Sequence, residues 1–238
     1  MPVGEGYHMS LDAYLDRITV GDSRVLARAI PDASIDLIFT DPPYLKANIE
    51  EGIYAWLARE AARVLKPGGF CLAYTGSQWL PLVLEQMQSA LTFFWVCILR
   101  YNGAAGYVYH KKAIVRYTPI VAFMKGKGVP QRAFLDCAAG SGADKRFHIW
   151  GQDERTASYY IDCFSLPGQT VWEPFCGGGT VPAVCRQLDR RCIAFELDPE
   201  VAARAQARLA VLQPLLPGMR YQQASFAEEL VEMSGSRC

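Results

Sequence analysis

An α/β fold with a mostly parallel central sheet is predicted by three features of this 238-residue chain. Short apolar runs, typical of buried parallel strands, alternate with segments that repeat apolar residues at helical spacing. Two of these runs, residues 35–40 and 170–172, end abruptly at polar and glycine-rich segments. The length suits one α/β domain over residues 1–238 that buries a substantial core. The alternation therefore predicts a sheet layered by helices.

Strands and helices alternate through the first half of the chain. The predicted strands span residues 17–20, 35–40, 70–74, 93–99 and 119–124, and the predicted helices span residues 23–30, 53–65 and 78–89. Residues 66–69, Lys-Pro-Gly-Gly, are predicted as the turn that ends the second helix. Segments 100–118 and 125–151 have no clean period and are predicted as loops.

The same alternation resumes after residue 155. Helices are predicted at residues 156–164, 180–188 and 199–212, and strands at 170–172 and 192–195. Asp198 is the predicted N-cap of the last helix, with Pro199 in its first turn. Residues 217–238 show no strong pattern and are predicted to form a flexible tail.

The composition is that of an ordinary globular enzyme. Hydrophobic residues make up 51% and charged residues 20% of the chain, and neither a membrane-spanning run nor a signal segment at residues 1–10 is visible. A cytoplasmic protein without a membrane partner is therefore expected. The eight cysteines form no Cys-x-x-Cys pair. They are predicted to be reduced thiols, and no metal site is expected.

The charge is balanced overall but unevenly distributed. The net charge is zero, which argues mildly against a nucleic-acid partner. Between Arg100 and Arg155, however, ten basic residues face four acidic ones, so this segment carries an excess of six positive charges. Tyrosines are interleaved with these cations. A solvated face and a surface that follows a nucleic-acid strand both fit this pattern.

Two motifs follow predicted strands. Asp41-Pro42-Pro43-Tyr44 follows the strand at 35–40, and the triple glycine Gly177-Gly178-Gly179 follows the strand at 170–172. Ligands of open α/β sheets bind beyond the carboxyl ends of the strands, so we expect the motifs to share one site. Taken alone, the first motif also fits an ordinary Asp-Pro turn.

Glycines in the second motif let the backbone approach a ligand closely and accept positive φ. A dinucleotide-binding oxidoreductase is the rival interpretation, because Glu196 lies 17 residues beyond Gly179, near the spacing of a ribose-binding acid. The glycines do not fit a G-x-G-x-x-G pattern cleanly, and the first motif has no role in that rival.

Together the two motifs resemble those of the amino-group DNA methyltransferases, which use S-adenosylmethionine to methylate a base nitrogen. The resemblance covers nearly the whole chain and implies a Rossmann-like methyltransferase fold. It implies catalytic roles for Asp41 and Pro42 as acceptors of the amine N–H groups, with Pro43 fixing the backbone. Tyr44 would supply a flat face for stacking of the extruded base.

The resemblance also implies a cofactor site for S-adenosylmethionine. Asp22 would contact the adenine of the cofactor, although it also fits the N-cap of the helix at 23–30. Glu196 would accept hydrogen bonds from the ribose hydroxyls. The remaining implied contacts belong to residues around the glycines, the catalytic motif and the end of the last strand, namely Phe175, Cys176, Gly177, Gly178, Gly179, Thr180, Asp41 and Leu197.

The catalytic motif precedes the cofactor motif, which is the permuted order of the class called beta. In that order the target-recognition segment lies between the motifs, here at residues 100–151. The basic excess and the tyrosines then predict DNA contacts by Tyr109, Lys111, Lys112 and Arg116. The expected partners are double-stranded DNA with one base flipped out and, in a homodimer, a second copy of the chain.

Three positions depart from the family pattern. Glu173 stands where Asp is common, and Gly178 stands where Ser is common; both changes are mild. His148 lies in a segment where many relatives carry His-Pro-x-Gln-Lys-Pro, and we interpret it as a loop histidine.

The resulting prediction is an adenine-N6 DNA methyltransferase, because relatives with Asp before Pro-Pro-Tyr mostly modify adenine, whereas those with Ser mostly modify cytosine. Cytosine N4 is the nearest alternative. RNA or protein-glutamine methylation is a further one, usually marked by Asn in place of Asp41. A subunit that binds nucleic acid without catalysis is the alternative from another class.

Overall fold

A computed structural model describes residues 11–43, 46–101, 103, 106–139 and 154–212. The strands of these residues are β1 (Arg17–Val20), β2 (Ile35–Thr40), β3 (Leu65–Tyr74), β4 (Thr92–Arg100), β5 (Gly106–Val108), β6 (Ala113–Val115), β7 (Tyr117–Met124), β8 (Cys137–Ala139), β9 (Thr170–Glu173) and β10 (Arg191–Glu196). The α-helices are α1 (Ser23–Leu26), α2 (Lys46–Glu50), α3 (Ile53–Val64), α4 (Leu80–Gln88), α5 (Glu154–Phe164), α6 (Thr180–Gln187) and α7 (Pro199–Val211).

Eight of these strands form one sheet in the order β1-β10-β9-β2-β3-β7-β4-β8. Strands β1, β10, β9, β2 and β3 are parallel to one another, and β8 is parallel to β4. Strand β7 lies antiparallel between β3 and β4. The predicted mostly parallel α/β sheet is confirmed.

Helices cover both faces of the sheet because the central strands are apolar on both sides. Along β2, Leu37 and Phe39 join a buried cluster that includes residues of α5 and α6. Ile38, which points to the opposite face, joins a second cluster that includes residues of α3 and α4. Two separate hydrophobic cores therefore hold the strands in place.

The chain reverses its direction of travel across the sheet between β2 and β9. The strand that follows β2 along the chain, β3, lies on one side of the β2–β9 pair in the sheet. The strand that follows β9 along the chain, β10, lies on the other side. Such a switch point leaves a crevice beyond the carboxyl ends of the two strands. Both sequence motifs follow these two ends, as predicted.

Most predicted elements agree with the structure to within a few residues at each end. The helix predicted at 53–65 is α3, which ends at Val64. The predicted cap of the last helix is confirmed, because the Asp198 side chain accepts hydrogen bonds from the backbone N–H groups of Glu200 and Val201. Pro199 is the first residue of α7.

Both predicted loops contain short strands, so the predictions were wrong at those strands; residues 140–151 lie outside the described residues. Segment 100–118 holds the β5–β6 hairpin and the start of β7, and segment 125–151 holds β8. Strands β5, β6 and β8 have only three residues each, too few to show an apolar alternation. The turn predicted at 66–69 lies inside β3 as an irregularity, because the register with β2 shifts between Leu65 and Phe70.

Two further differences concern helices. Helix α2 was not predicted, and the helix predicted at 23–30 is divided into α1 and a 3-10 turn at Ala27–Ala29. Tyr44, His148 and the predicted tail at 217–238 lie outside the described residues. Within the residues that the structure describes, no helix is both long and apolar enough to cross a membrane.

Candidate functional site

The catalytic motif begins where β2 ends. Asp41 is half-buried with Oδ1 inaccessible to solvent, Pro42 is buried, and Pro43 is exposed. Thr40, the last residue of β2, lies beside Ala73 of β3. The core strand thus brings the Asp41 carboxylate to the crevice, and the two prolines that follow have no N–H groups to compete with a ligand.

A buried glutamate joins the carboxyl ends of β2 and β9. The Glu173 side chain accepts hydrogen bonds at Oε1 from Thr40 Oγ1, at 2.5 Å, and from the backbone N–H of Phe175, at 2.9 Å. Burial raises the pKa of Glu173 to about 8. The carboxylates of Asp41 and Glu196 contribute to this rise in the pKa, and the two hydrogen bonds oppose it.

The glycine loop, residues 174–179, connects β9 to α6. Gly177 has φ +49°, and no heavy atom lies within 4 Å of the position that a Cβ would take. Gly179 has φ +76°, and there a Cβ would lie 3.0 Å from Cβ of Ala205 on α7. Gly179 is therefore needed for packing, whereas Gly177 leaves the backbone open toward a ligand.

Glu196, at the end of β10, is bonded to the same loop. Its Oε2 accepts the N–H of Gly177 at 2.8 Å, and its Oε1 accepts the N–H of Asp198 at 2.9 Å. The Glu196 carbonyl accepts the N–H of Gly21, at 2.8 Å. The structure thus brings the ends of β1, β9 and β10 together around this carboxylate.

The other predicted cofactor residues differ in their environments. Asp22 caps α1, because its Oδ1 accepts the backbone N–H of Arg24 at 2.8 Å. The predicted N-cap role of Asp22 is therefore confirmed. The contact between Asp22 and the cofactor adenine stays a prediction. Leu197 is 70% exposed. Cys176 and Thr180 are buried, and the half-buried Phe175 ring lies 5.9 Å from the Trp56 ring.

Sequence reasoning missed Arg208, a buried arginine that contacts the glycine loop. It donates to the Gly178 carbonyl at 2.8 Å and forms an ion pair with Glu154. A signal was available, because Arg208 lies on the same face of α7 as the buried Val201 and Ala205. A charged residue in an apolar stripe indicates a buried partner.

The predicted DNA-binding residues lie together on the β5–β6 hairpin and the residue after it. Tyr109 is 83% exposed, and its ring lies 4.8 Å from that of Tyr107. Lys111, Lys112 and Arg116 are exposed. The hairpin forms its own two-stranded sheet, separate from the main one, and so presents cations and aromatic rings on one small element.

This edge of the sheet suits a cationic ligand that also carries hydroxyl and carboxylate groups. The carboxylates of Asp41 and Glu196 favour a positive charge, and carboxylate oxygens also accept hydrogen bonds from hydroxyls. The amino-terminal end of α6, which follows the glycine loop, favours a ligand carboxylate. Among the described residues, no group of three or more His, Cys, Asp or Glu side chains is arranged to hold a metal ion.

Comparison with known sequences shows similarity to DNA methylases. A family model described as DNA methylase matches residues 140–207. The chain is 25% identical over 216 residues to YubD of Escherichia coli K12, to which a methylase activity is ascribed; the match covers 84% of this chain and 92% of YubD. It is 31% identical over 235 residues to the type II methyltransferase M.BamHI of Bacillus amyloliquefaciens. That match covers 77% of this chain and 55% of M.BamHI.

Comparison with solved structures shows the same fold. The complex of M1.HpyAVI with SAM has a TM-score of 0.69 at 18% identity, with 82% of this chain and 99% of that chain covered. The PvuII DNA methyltransferase, described as cytosine-N4-specific, has a TM-score of 0.71 at 17% identity. Here 92% of this chain and 90% of that chain are covered.

Proposed function

Because the chain belongs to the amino-group DNA methyltransferases, we propose that it transfers a methyl group from S-adenosylmethionine to N6 of adenine in DNA. One observation carries this proposal. Asp41 and the glycine loop lie beyond neighbouring strands, β2 and β9, at the point where the sheet switches direction. A base held at Asp41 and a cofactor held at the loop would therefore meet in one crevice.

The residues at this crevice fit S-adenosylmethionine. The open Cβ position of Gly177 leaves its backbone accessible, so the loop can approach the methionine part of the cofactor. Glu196 lies at the end of β10, where its carboxylate can accept hydrogen bonds from ribose hydroxyls. The carboxylates of Asp41 and Glu196 stabilise the positive sulfonium. We therefore assign the cofactor to the region between Asp41 and Glu196.

The bound cofactor supplies a methyl group on a positively charged sulfur. Asp41 and the Pro42 carbonyl each accept one N–H of the target amine, which turns the nitrogen lone pair out of the base plane and toward the methyl. Asp41 would take the amine proton that is released when the nitrogen accepts the methyl group of the cofactor. The Pro42–Pro43 backbone holds the carbonyl in this direction.

The target base must leave the duplex to reach Asp41, because the crevice lies at the edge of a packed sheet. Tyr44 is proposed to stack on the extruded base. We propose that segment 100–151 provides the DNA contacts, with the β5–β6 hairpin as the part that carries exposed cations and rings. Within residues 1–238 this segment is an insertion in a single methyltransferase domain.

Adenine is proposed rather than cytosine because of Asp41, since relatives with Asp before Pro-Pro-Tyr mostly modify adenine. Cytosine N4 is the second candidate, and the fold shared with the cytosine-N4-specific PvuII enzyme is the observation in its favour. Both bases present an exocyclic amine with two N–H donors, so the catalytic groups accept either.

Nucleoside analysis tests this choice. Unmethylated genomic DNA is incubated with the protein and S-adenosylmethionine, digested to nucleosides and analysed by mass spectrometry. We expect N6-methyladenine. N4-methylcytosine without N6-methyladenine would assign the protein to the second candidate. Sequencing of the modified positions would then define the recognition site.

A further inference from the structure

A buried side chain on α7 contacts the glycine loop from the interior. Arg208 on α7 is 5% exposed. Its Nη1 donates to the Gly178 carbonyl at 2.8 Å and to Thr180 Oγ1 at 3.4 Å. Hydrogen bonds from a charged donor are about twice as strong as those between neutral groups. Arg208 therefore fixes the junction between the loop and α6.

The same guanidinium is held on its other side. Arg208 Nη2 forms an ion pair with Glu154, the first residue of α5. A buried charge is costly unless it is paired, so Glu154 stabilises the placement of Arg208. The pair links α7, the glycine loop and α5.

The contact fixes one peptide plane of the loop. Arg208 binds the carbonyl side of the peptide between Gly178 and Gly179, and its N–H side donates to the Cys176 carbonyl at 2.9 Å. Ala205, one turn earlier on α7, packs against Gly179. The next residue toward β9, Gly177, is the one whose Cβ position is open. The orientation of the Gly177 backbone, which faces the proposed ligand, thus depends on the Gly178–Gly179 peptide plane that Arg208 fixes.

We infer that Arg208, oriented by Glu154, is a positioning residue that holds the glycine loop in the conformation that binds the cofactor. This inference rests on the proposed function. Arg208 acts through the loop backbone, so it sets cofactor affinity and leaves the chemistry at Asp41 unchanged.

The test compares Arg208→Met, Arg208→Lys and Glu154→Gln with wild type. Arg204→Met is the matched control, because Arg204 is an exposed arginine on the same helix. Calorimetry measures the Kd for S-adenosylmethionine, thermal unfolding measures stability, and initial rates give kcat and KM.

We expect Arg208→Met to raise the Kd about tenfold or more and Glu154→Gln to raise it roughly threefold. Arg208→Lys should restore part of the affinity, because an ammonium can still donate to the Gly178 carbonyl. KM for S-adenosylmethionine should rise while kcat at saturating cofactor and KM for DNA stay within about twofold of wild type. Arg204→Met should match wild type throughout.

Wild-type protein that binds no S-adenosylmethionine would contradict the proposed function itself. Wild-type binding together with equal affinity in folded Arg208→Met would overturn only the inference about Arg208. A fall in kcat without a rise in KM for the cofactor would also overturn it. If Arg208→Met does not fold, the inference is tested with Glu154→Gln and Arg208→Lys. An unchanged Kd for S-adenosylmethionine in both of these variants would overturn it.

Discussion

At the residue scale, the carboxylate of Asp41 carries the proposed chemistry. Asp41 lies past the end of β2 and is only half-buried, so it contributes more to the site than to packing. We expect Asp41→Ala to lower kcat for methyl transfer by about 10²–10³ or more, because the variant has no carboxylate to orient the amine. Single-turnover transfer of labelled methyl to DNA measures this effect.

Glu85→Ala is the matched control for Asp41→Ala, since Glu85 is an exposed carboxylate on α4. This variant should keep wild-type turnover. Near-normal turnover in folded Asp41→Ala would remove the catalytic role from this residue.

Glu173 makes stability depend on pH. Burial raises its pKa to about 8, whereas its ordinary value is 4.5, so between these values the folded protein keeps a proton that the unfolded chain has released. Stability should therefore fall as pH rises through this window, by at most about 1.4 kcal/mol per pH unit from this group. Urea unfolding at pH 5 and pH 8 measures the change.

Glu173→Gln should lose less stability than wild type between pH 5 and pH 8. The amide oxygen can still accept from Thr40 Oγ1 and the Phe175 N–H, so the packing is kept while the titration is removed. Glu85→Gln serves as the exposed control and should follow wild type. An identical pH dependence in Glu173→Gln and wild type would show that Glu173 does not titrate in this window.

At the element scale, we expect a side chain at Gly177 of the glycine loop to weaken cofactor binding. Gly177→Val should raise the Kd for S-adenosylmethionine about tenfold or more, because the side chain fills the open approach and strains a left-handed residue. The matched control is Gly168→Val in the turn before β9. Gly168 also has positive φ, +78°, and an open Cβ position. It lies before the amino-terminal end of β9, whereas Gly177 lies after the carboxyl end of that strand.

Gly168→Val should lose stability through the same strain yet bind the cofactor as wild type does. Calorimetry and thermal unfolding separate the two effects. Equal Kd values for the two glycine variants would mean that Gly177 does not face the cofactor.

The β5–β6 hairpin is the second element with a testable role. Replacing Lys111 and Arg116 by Gln and Lys112 by Asn should weaken DNA binding and reduce the salt slope by up to about 3, roughly 0.9 for each phosphate that is no longer neutralised. Asn is chosen at Lys112 because that residue has φ +51°, which Asn tolerates. Binding to duplex DNA at several salt concentrations measures the slope.

Cofactor affinity should be unchanged in the hairpin variant. Neutralising Arg28, Arg59 and Arg204, which are exposed on other elements, gives a control with the same change in net charge. A salt slope equal to that of wild type, or an equally reduced slope in both triple variants, would place the DNA interface elsewhere.

Elements with a long apolar pattern could be predicted from the sequence, whereas short ones could not. Strand β2 is a near-continuous apolar run that is buried on both faces, and helix α3 buries one face along its length, so both patterns are visible in the sequence. Strand β8 has three residues and is formed through its pairing with β4. Hairpin β5–β6 likewise depends on pairing of two short segments that show no clean period.

At the scale of the whole molecule, the convergence of the two motifs followed from topology, because the carboxyl ends of parallel strands meet at one edge. The contact partners of the individual side chains could not be predicted from this topology. Glu173 meets Thr40 across 133 positions of sequence, and Arg208 meets Gly178 across 30. Such contacts depend on which strands and helices become neighbours, which no local pattern encodes.

The central claim is that this edge of the sheet moves a methyl group from S-adenosylmethionine to an exocyclic amine of DNA. The most direct measurement is transfer from methyl-labelled S-adenosylmethionine, with DNA, RNA and protein offered as separate acceptors. We predict label in DNA alone, recovered as N6-methyladenine, with Asp41→Ala reducing the rate at least about a hundredfold. Folded, cofactor-binding protein that labels RNA or protein instead, or that transfers no label to DNA of diverse sequence, would contradict the claim.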